Sequence, residues 1–179
     1  MVNPTNVFPL GRPKGKCAPS GGSEAHAVAS VGAIFQWPLR VYWEDTDAGG
    51  IVFYANYLQF FVRSRTEWLR SLGIEQHALR EQSGGMFIVS ETNVRYRQPS
   101  RLDDELIVTA KLQERGRASL IISQQVFLKN KATAESQATL LCEATIRIGW
   151  VDAHSPNPAR IPPPILDRLA PHSRATTET

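Results

Sequence analysis

Three carboxylates, Glu44, Asp45 and Asp47, fall within four consecutive positions and are followed at once by Gly49 and Gly50. A carboxylate can attack an acyl carbon directly or take a proton from a water that does so. Either route needs hydrogen-bond donors aimed at the oxygen on which charge develops. The residues after the glycines carry a helical pattern, and the first N–H groups of a helix lack intrahelical partners and favour negative charge. Adjacent glycines also let a ligand approach the backbone closely. The spacing therefore suits acyl-bond hydrolysis by a carboxylate beside a helix N-terminus. The same Asp-Thr-Asp-Ala-Gly-Gly stretch also reads as a turn whose side chains cap local N–H groups, and residue types alone leave both readings open.

The elements that must hold this stretch are legible from periodicity. Phe35, Trp37, Leu39, Val41 and Trp43 share one parity, the mark of a strand with one buried face, and Pro38 places that strand at a sheet edge or bulge. Leu58, Phe61, Trp68, Leu69 and Leu72 recur at spacings of three and four, predicting a helix from about 56 to 72 with Asn56 as N-cap and Gly73 as its stop. A short helical or irregular piece over 75–82 leads to Gly84-Gly85. Four strand-like runs follow: 87–97, then Leu106 to Leu112, then Leu120 to Leu128 with Gln124 on the apolar parity, then Ala138 to Trp150. Gly116 and Lys129-Asn130-Lys131 mark tight connections. One helix and five strands joined by short connections predict an α+β fold with an antiparallel sheet curled around a single long central helix.

Composition sets the limits. The net charge of +3 arises in the terminal segments; residues 34–154 carry equal numbers of acids and bases. Ten of the twelve prolines also lie outside 34–154. The chain is therefore expected to have a flexible tail over 1–33, one folded domain over 34–154 and a Pro-rich tail over 155–179. A formally neutral domain argues against nucleic acid as partner. Cys17 and Cys142 make neither a disulfide framework nor a metal site, and Cys142 reads as a small buried hydrophobe. His26, His77, His154 and His172 have no metal-ligand spacing, so no metal and no cofactor are expected. No apolar run approaches the ~20 residues of a membrane span, and no apolar core follows a basic start, so a cytoplasmic location is expected.

The stretch Val41-Tyr42, Glu44-Asp45-Thr46-Asp47-Ala48-Gly49-Gly50, Val52, Tyr57 and Arg65 to Leu69 resembles the 4-hydroxybenzoyl-CoA thioesterase family of hot-dog-fold enzymes, and especially its Tol-Pal-associated acyl-CoA thioesterase subgroup. The similarity continues through Tyr96, Pro99, Arg101-Leu102-Asp103-Asp104 and Arg115-Gly116 to about residue 152. The resemblance implies a hot-dog fold and hydrolysis of acyl-CoA to a free acid and CoA. It implies Asp47 as the catalytic carboxylate, nucleophile or general base, and the backbone N–H of Tyr54 as the group that polarises the thioester carbonyl. It also implies that basic residues at the Arg115–Arg117 turn meet the CoA phosphates. From the residues themselves, Gly49 and Gly50 would border the substrate, and Tyr57, with Tyr54 and Phe61, reads either as a pocket wall or as core. The resemblance further implies a homodimer or homotetramer with each site at a subunit interface, and an acyl carrier protein as a further partner. Two positions depart from the subgroup: Tyr54 stands where it usually has His, and Val62 where it usually has Glu. Glu44 and Asp45 are expected to be structural, and Arg65, on the apolar stripe, to sit in an ion pair. The alternative to an enzyme is a hot-dog acyl-carrier or membrane-complex interaction module with little turnover.

Overall fold

The computed structural model describes residues 34–129, 138–155 and 157–169. Five strands form one antiparallel sheet: β1 (Phe35–Arg40), β2 (Gly85–Tyr96), β3 (Glu105–Arg115), β4 (Ser119–Leu128) and β5 (Thr139–Asp152). Their spatial order is β1-β3-β4-β5-β2, so β1 and β2 are the edges. Between them in sequence lie α1 (Asn56–Ser71) and α2 (Gln76–Ser83), and α3 (Pro163–Arg168) follows β5.

Register aligns the apolar parity across the sheet. Trp37 lies opposite Val108, Val108 opposite Val126, Val126 opposite Cys142 and Cys142 opposite Tyr96. That face receives α1. Irregularities between Val89 and Glu91, Leu112 and Glu114, and Val126 and Phe127 bend the strands that carry them, which is how a flat ladder curls around a helix. The last of these breaks the expected alternation in β5, because Leu141 is buried beside Cys142 while Leu140 is only half-buried. Cys142 is in the core, where burial pushes its thiol up to about 12.

The buried stripe of α1 is Tyr57, Phe60, Phe61, Ser64, Arg65, Trp68 and Leu69. Leu58, expected on this stripe, is instead exposed. Gly73 ends the helix at φ +72, a conformation costly for any residue with a Cβ. Pro38 sits on edge strand β1 as expected, but that strand stops at Arg40. Trp43 opens a single 3-10 turn over Trp43–Asp45 and is 79% exposed, so the period-two pattern misassigned it.

The expectation of a tail from 155 is corrected for 157–169. Ile161 before α3, Ile165 within it and Leu169 at its end enter the core, four residues apart. Arg115 Nη1 donates to the Leu166 carbonyl at 2.9 Å, Ile161 N–H to the Arg117 carbonyl at 2.8 Å, and Arg168 to the Gly73 carbonyl. Proline density hid this segment: Pro163 and Pro164 occupy the first turn of α3, where a missing N–H costs nothing. The expectation for 1–33 lies outside the described residues, as do Asn130 and Lys131.

Two outcomes test this packing. Leu169→Ala should cost about 2–5 kcal/mol in urea unfolding, as for a buried leucine and unlike a tail residue. Cys142 should stay unmodified by iodoacetamide at pH 8 in the native protein and react after unfolding, read by peptide mass mapping.

Candidate functional site

The loop between β1 and α1 is built around Asp45, which is 3% exposed. Its carboxylate accepts the Tyr42 N–H at 2.9 Å, and its carbonyl accepts the Phe53 N–H at 2.9 Å and the Asn56 side-chain amide at 3.0 Å. Asn56 is thus the first residue of α1 rather than its N-cap, and its side chain secures the preceding turn instead. Thr46 bridges Val52, Ile51 bridges Arg101, and Val52 N–H donates to the Ser100 carbonyl at 2.8 Å. This small hairpin is therefore pinned both to the helix start and to the segment entering β3. Asp45 is structural, as expected, and Glu44 is exposed.

Asp47 projects from the hairpin with its side chain exposed. Its backbone N–H donates to the Ile51 carbonyl at 2.9 Å, and one carboxylate oxygen accepts the Gly49 N–H at 2.8 Å. A Cβ at Gly49 would stand 3.1 Å from that oxygen, and Gly50 has φ +72. Both glycines therefore serve the conformation that presents Asp47. On the other side of the hairpin, the backbone N–H groups of Tyr54 and Ala55 make no hydrogen bond among the described residues. They stand immediately before α1, where the helix dipole adds partial positive charge.

Aromatic side chains border this loop. Tyr54 is 62% exposed, its ring 4.6 Å from Phe53 and 6.2 Å from Tyr96. Tyr96, which the reading of the residues did not place here, has its phenol pushed above the usual range by burial, with Cys142, Tyr54 and Tyr57 adding to the effect. Only its position at the end of an apolar-parity strand could have pointed to it.

Tyr57 lies under the loop. It is buried, its hydroxyl is 2.9 Å from Ser100 Oγ and it accepts the Ser100 N–H at 3.0 Å. Arg115 and Arg117 are not brought to Asp47 within one chain. They sit at the β3–β4 turn, whereas Arg101 and Glu105 mark the loop end of β3, so roughly 30 Å of strand intervenes. They border instead a cavity with Pro163, Leu166 and Asp167. Arg65 has no carboxylate partner among the described residues; it donates to Gln124 Oε1 at 3.0 Å, so the expected ion pair is replaced by an amide contact. No cluster of three or more His, Cys, Asp or Glu among the described residues could hold a metal. No helix among them is long and apolar enough to cross a membrane.

With this arrangement of strand, carboxylate hairpin and helix start, residues 41–169 match the thioesterase-like superfamily. The chain belongs to that superfamily. It is 37% identical over 133 residues to the acyl-CoA thioester hydrolase YbgC of Escherichia coli O6:H1, a match covering 74% of this chain and 93% of that protein. It is equally 37% identical to the acyl-CoA thioesterase YbgC of Haemophilus influenzae, over 72% of this chain and 88% of the relative. A 4-hydroxybenzoyl CoA thioesterase mutant complexed with 4-hydroxybenzoyl CoA shares the fold at TM-score 0.70, with 16% identity over 76% of this chain and 99% of that one. Within this superfamily the chain is a thioester hydrolase with the hot-dog fold, five antiparallel strands around one long helix.

Tyr57→Phe should lower stability by about 1–3 kcal/mol, because it leaves Ser100 polar groups unpaired in the core, and should leave KM unchanged. A raised KM at unchanged stability would instead put the phenol against substrate.

Proposed function

We propose that this thioester hydrolase acts on acyl-CoA, with Asp47 as nucleophile or general base and the Tyr54 N–H as oxyanion donor. The observation that carries the reading is the unpaired amide at the start of α1 on the same pinned loop as an exposed carboxylate. A pair of this kind stabilises a tetrahedral oxyanion without reorganising when the reaction occurs. A thiolate leaving group, whose acid has a pKa near ~8.5, departs without a strong general acid, so one carboxylate, one oxyanion site and water suffice. Gly49 and Gly50 keep the approach to Asp47 clear. Phe53, Tyr54 and Tyr96 offer an apolar wall for the acyl group.

The CoA phosphates are assigned to Arg115 and Arg117 of a second copy, which gives a homodimer or homotetramer. Two features support assembly. Edge strand β2 is twelve residues long, and among the described residues no strand pairs with its outer edge. Ile88 and Val89 on it, with Leu58 and Val62 on α1, are exposed apolar residues that a partner would cover. An acyl carrier protein is a second thioester donor compatible with this reading, and the location is read as cytoplasmic.

Asp47→Asn should lower kcat by about 10²–10⁴-fold with an unchanged unfolding curve, read by free-thiol release across aliphatic and aromatic acyl-CoAs. Retention of most activity would remove Asp47 from the chemistry, and no turnover on any thioester would favour an interaction module. Single-turnover hydrolysis in ¹⁸O-water separates the roles, since label enters the Asp47 carboxylate only on the nucleophilic route.

A further inference from the structure

Two charged side chains are buried among the described residues, Asp45 and Arg65. Asp45 is fully occupied by the loop. Arg65 is 7% exposed and donates one hydrogen bond, from Nη1 to Gln124 Oε1 at 3.0 Å. Gln124 has no freedom to do more, because its Nε2 donates to the Phe61 carbonyl at 3.0 Å and the Thr109 carbonyl at 3.3 Å. Its oxygen is thereby held toward Arg65.

A guanidinium carries five N–H donors in a planar fork. No fully buried side-chain nitrogen or oxygen among the described residues lacks a partner. The remaining Arg65 nitrogens therefore open onto adjacent space. Arg65 lines a cavity of about 60 Å³ between α1 and the sheet, with Thr66 and Gln76 as its other polar neighbours and Leu69, Phe87 and Ile148 among its apolar ones. Val62, Ile88 and Val89, also in its lining, belong to the face that a second copy would border. Burial lowers the pKa of Arg65 from its ordinary value, yet a guanidinium stays charged in proteins. A buried cation with only an amide for company is costly, and an anion in the cavity removes that cost. The fork matches a carboxylate in two-point geometry, and the cavity has the volume of about two waters, room for a carboxylate. The exposed Val62, Ile88 and Val89 in the same lining favour an anion whose hydrocarbon tail leads out over them.

We propose that Arg65 and the cavity beside it form a binding subsite for the carboxylate of a small, apolar-tailed acid. Arg65 lies about 14 Å along α1 from its first residue at 1.5 Å per residue, so the subsite is separate from the Tyr54 amide. The carboxylate has two possible sources: a free acid, or the far end of an acyl group whose thioester sits at the helix start. Only the second rests on the acyl-CoA reading.

The test is calorimetric titration of the purified full-length protein, in its native assembly, with sodium butyrate against sodium chloride at matched ionic strength. Saturable butyrate binding is expected, weakened by about tenfold or more in Arg65→Met. Val62→Glu supplies a second variant, because Val62 is one turn before Arg65 and lines the same cavity. Its carboxylate should occupy the subsite, hold the melting temperature at or above the parent value and abolish butyrate binding. A KM for a medium-chain dicarboxylyl-CoA at least about tenfold below that for the monocarboxylyl-CoA of equal length, lost in Arg65→Met, assigns the substrate's far end. Butyrate binding without that preference assigns a free acid. Butyrate binding with no turnover on either thioester would defeat the acyl-CoA reading and leave the subsite standing. Absence of both butyrate binding and the dicarboxylyl preference, or equal butyrate binding in the parent and Val62→Glu, overturns the proposal.

Discussion

One face of α1 must be buried on a single curved sheet, and everything that positions the loop before it depends on how that helix is seated. Apolar contact drives the burial but is non-directional. Phe60, Phe61, Trp68 and Leu69 would pack nearly as well after a small rotation or slide of the helix. Directional bonds remove that freedom. Ser64 Oγ donates to the Val108 carbonyl at 3.2 Å, and the Gln124 amide donates to the Phe61 carbonyl. These bonds reach from β3 and β4, the middle of the sheet, to the middle of the helix. They select one rotation and one axial position, and so fix where the first amides of α1 stand.

Seating the helix is necessary for the site but not sufficient, because fifteen residues must still cross from β1 to α1 without losing that precision. Here the polar knot at Asp45 takes over. It joins Tyr42, which follows β1 and opens the 3-10 turn, to the helix start at Asn56 through one buried side chain and one carbonyl. The hairpin beyond it is clamped to Ser100 and Arg101, which lead into β3. Two independent anchors on one loop leave Asp47 on a rigid mount while its side chain remains exposed. That is the combination a carboxylate needs if it is to meet a carbonyl without a prior rearrangement.

Much of this was legible in the residues, for a physical reason. Strands with one buried face advertise period two, and a one-sided helix advertises 3.6, so β3, β4 and α1 stand out. The misses are also physical. Trp43 continues the parity of β1 although the chain has already turned. The helix around Ile165 is masked by prolines that its first turn tolerates. The Asp-Gly loop was visible as chemistry, but the basic turn at Arg115 was not visible as distant, since sequence spacing does not say which end of a strand a turn occupies. Gln124 and Arg65 were each anomalous, an amide on an apolar parity and a cation on an apolar stripe. Fifty-nine positions apart, they are partners, and no local pattern could have joined them.

The distance between Asp47 and the Arg115 turn bears on the proposed assembly. Within one copy the carboxylate lies at one end of the sheet and the basic turn at the other. No hinge could bring them together without dismantling β3. The proposed second copy would solve the problem by symmetry. If the free edges of β2 pair antiparallel about a twofold axis, each copy's strands run opposite to its partner's. Edge residues Glu91 and Arg95 carry opposite charges two pleats apart, so such a pairing centred on Asn93 would set each against its complement. The loop end of one sheet would then lie toward the turn end of the other. The exposed Ile88, Val89 and Val62 flank that same edge. A chain that exposes apolar residues beside a free strand edge, and separates its acid from its arginines by the length of its own sheet, has the surface that a half-site would need.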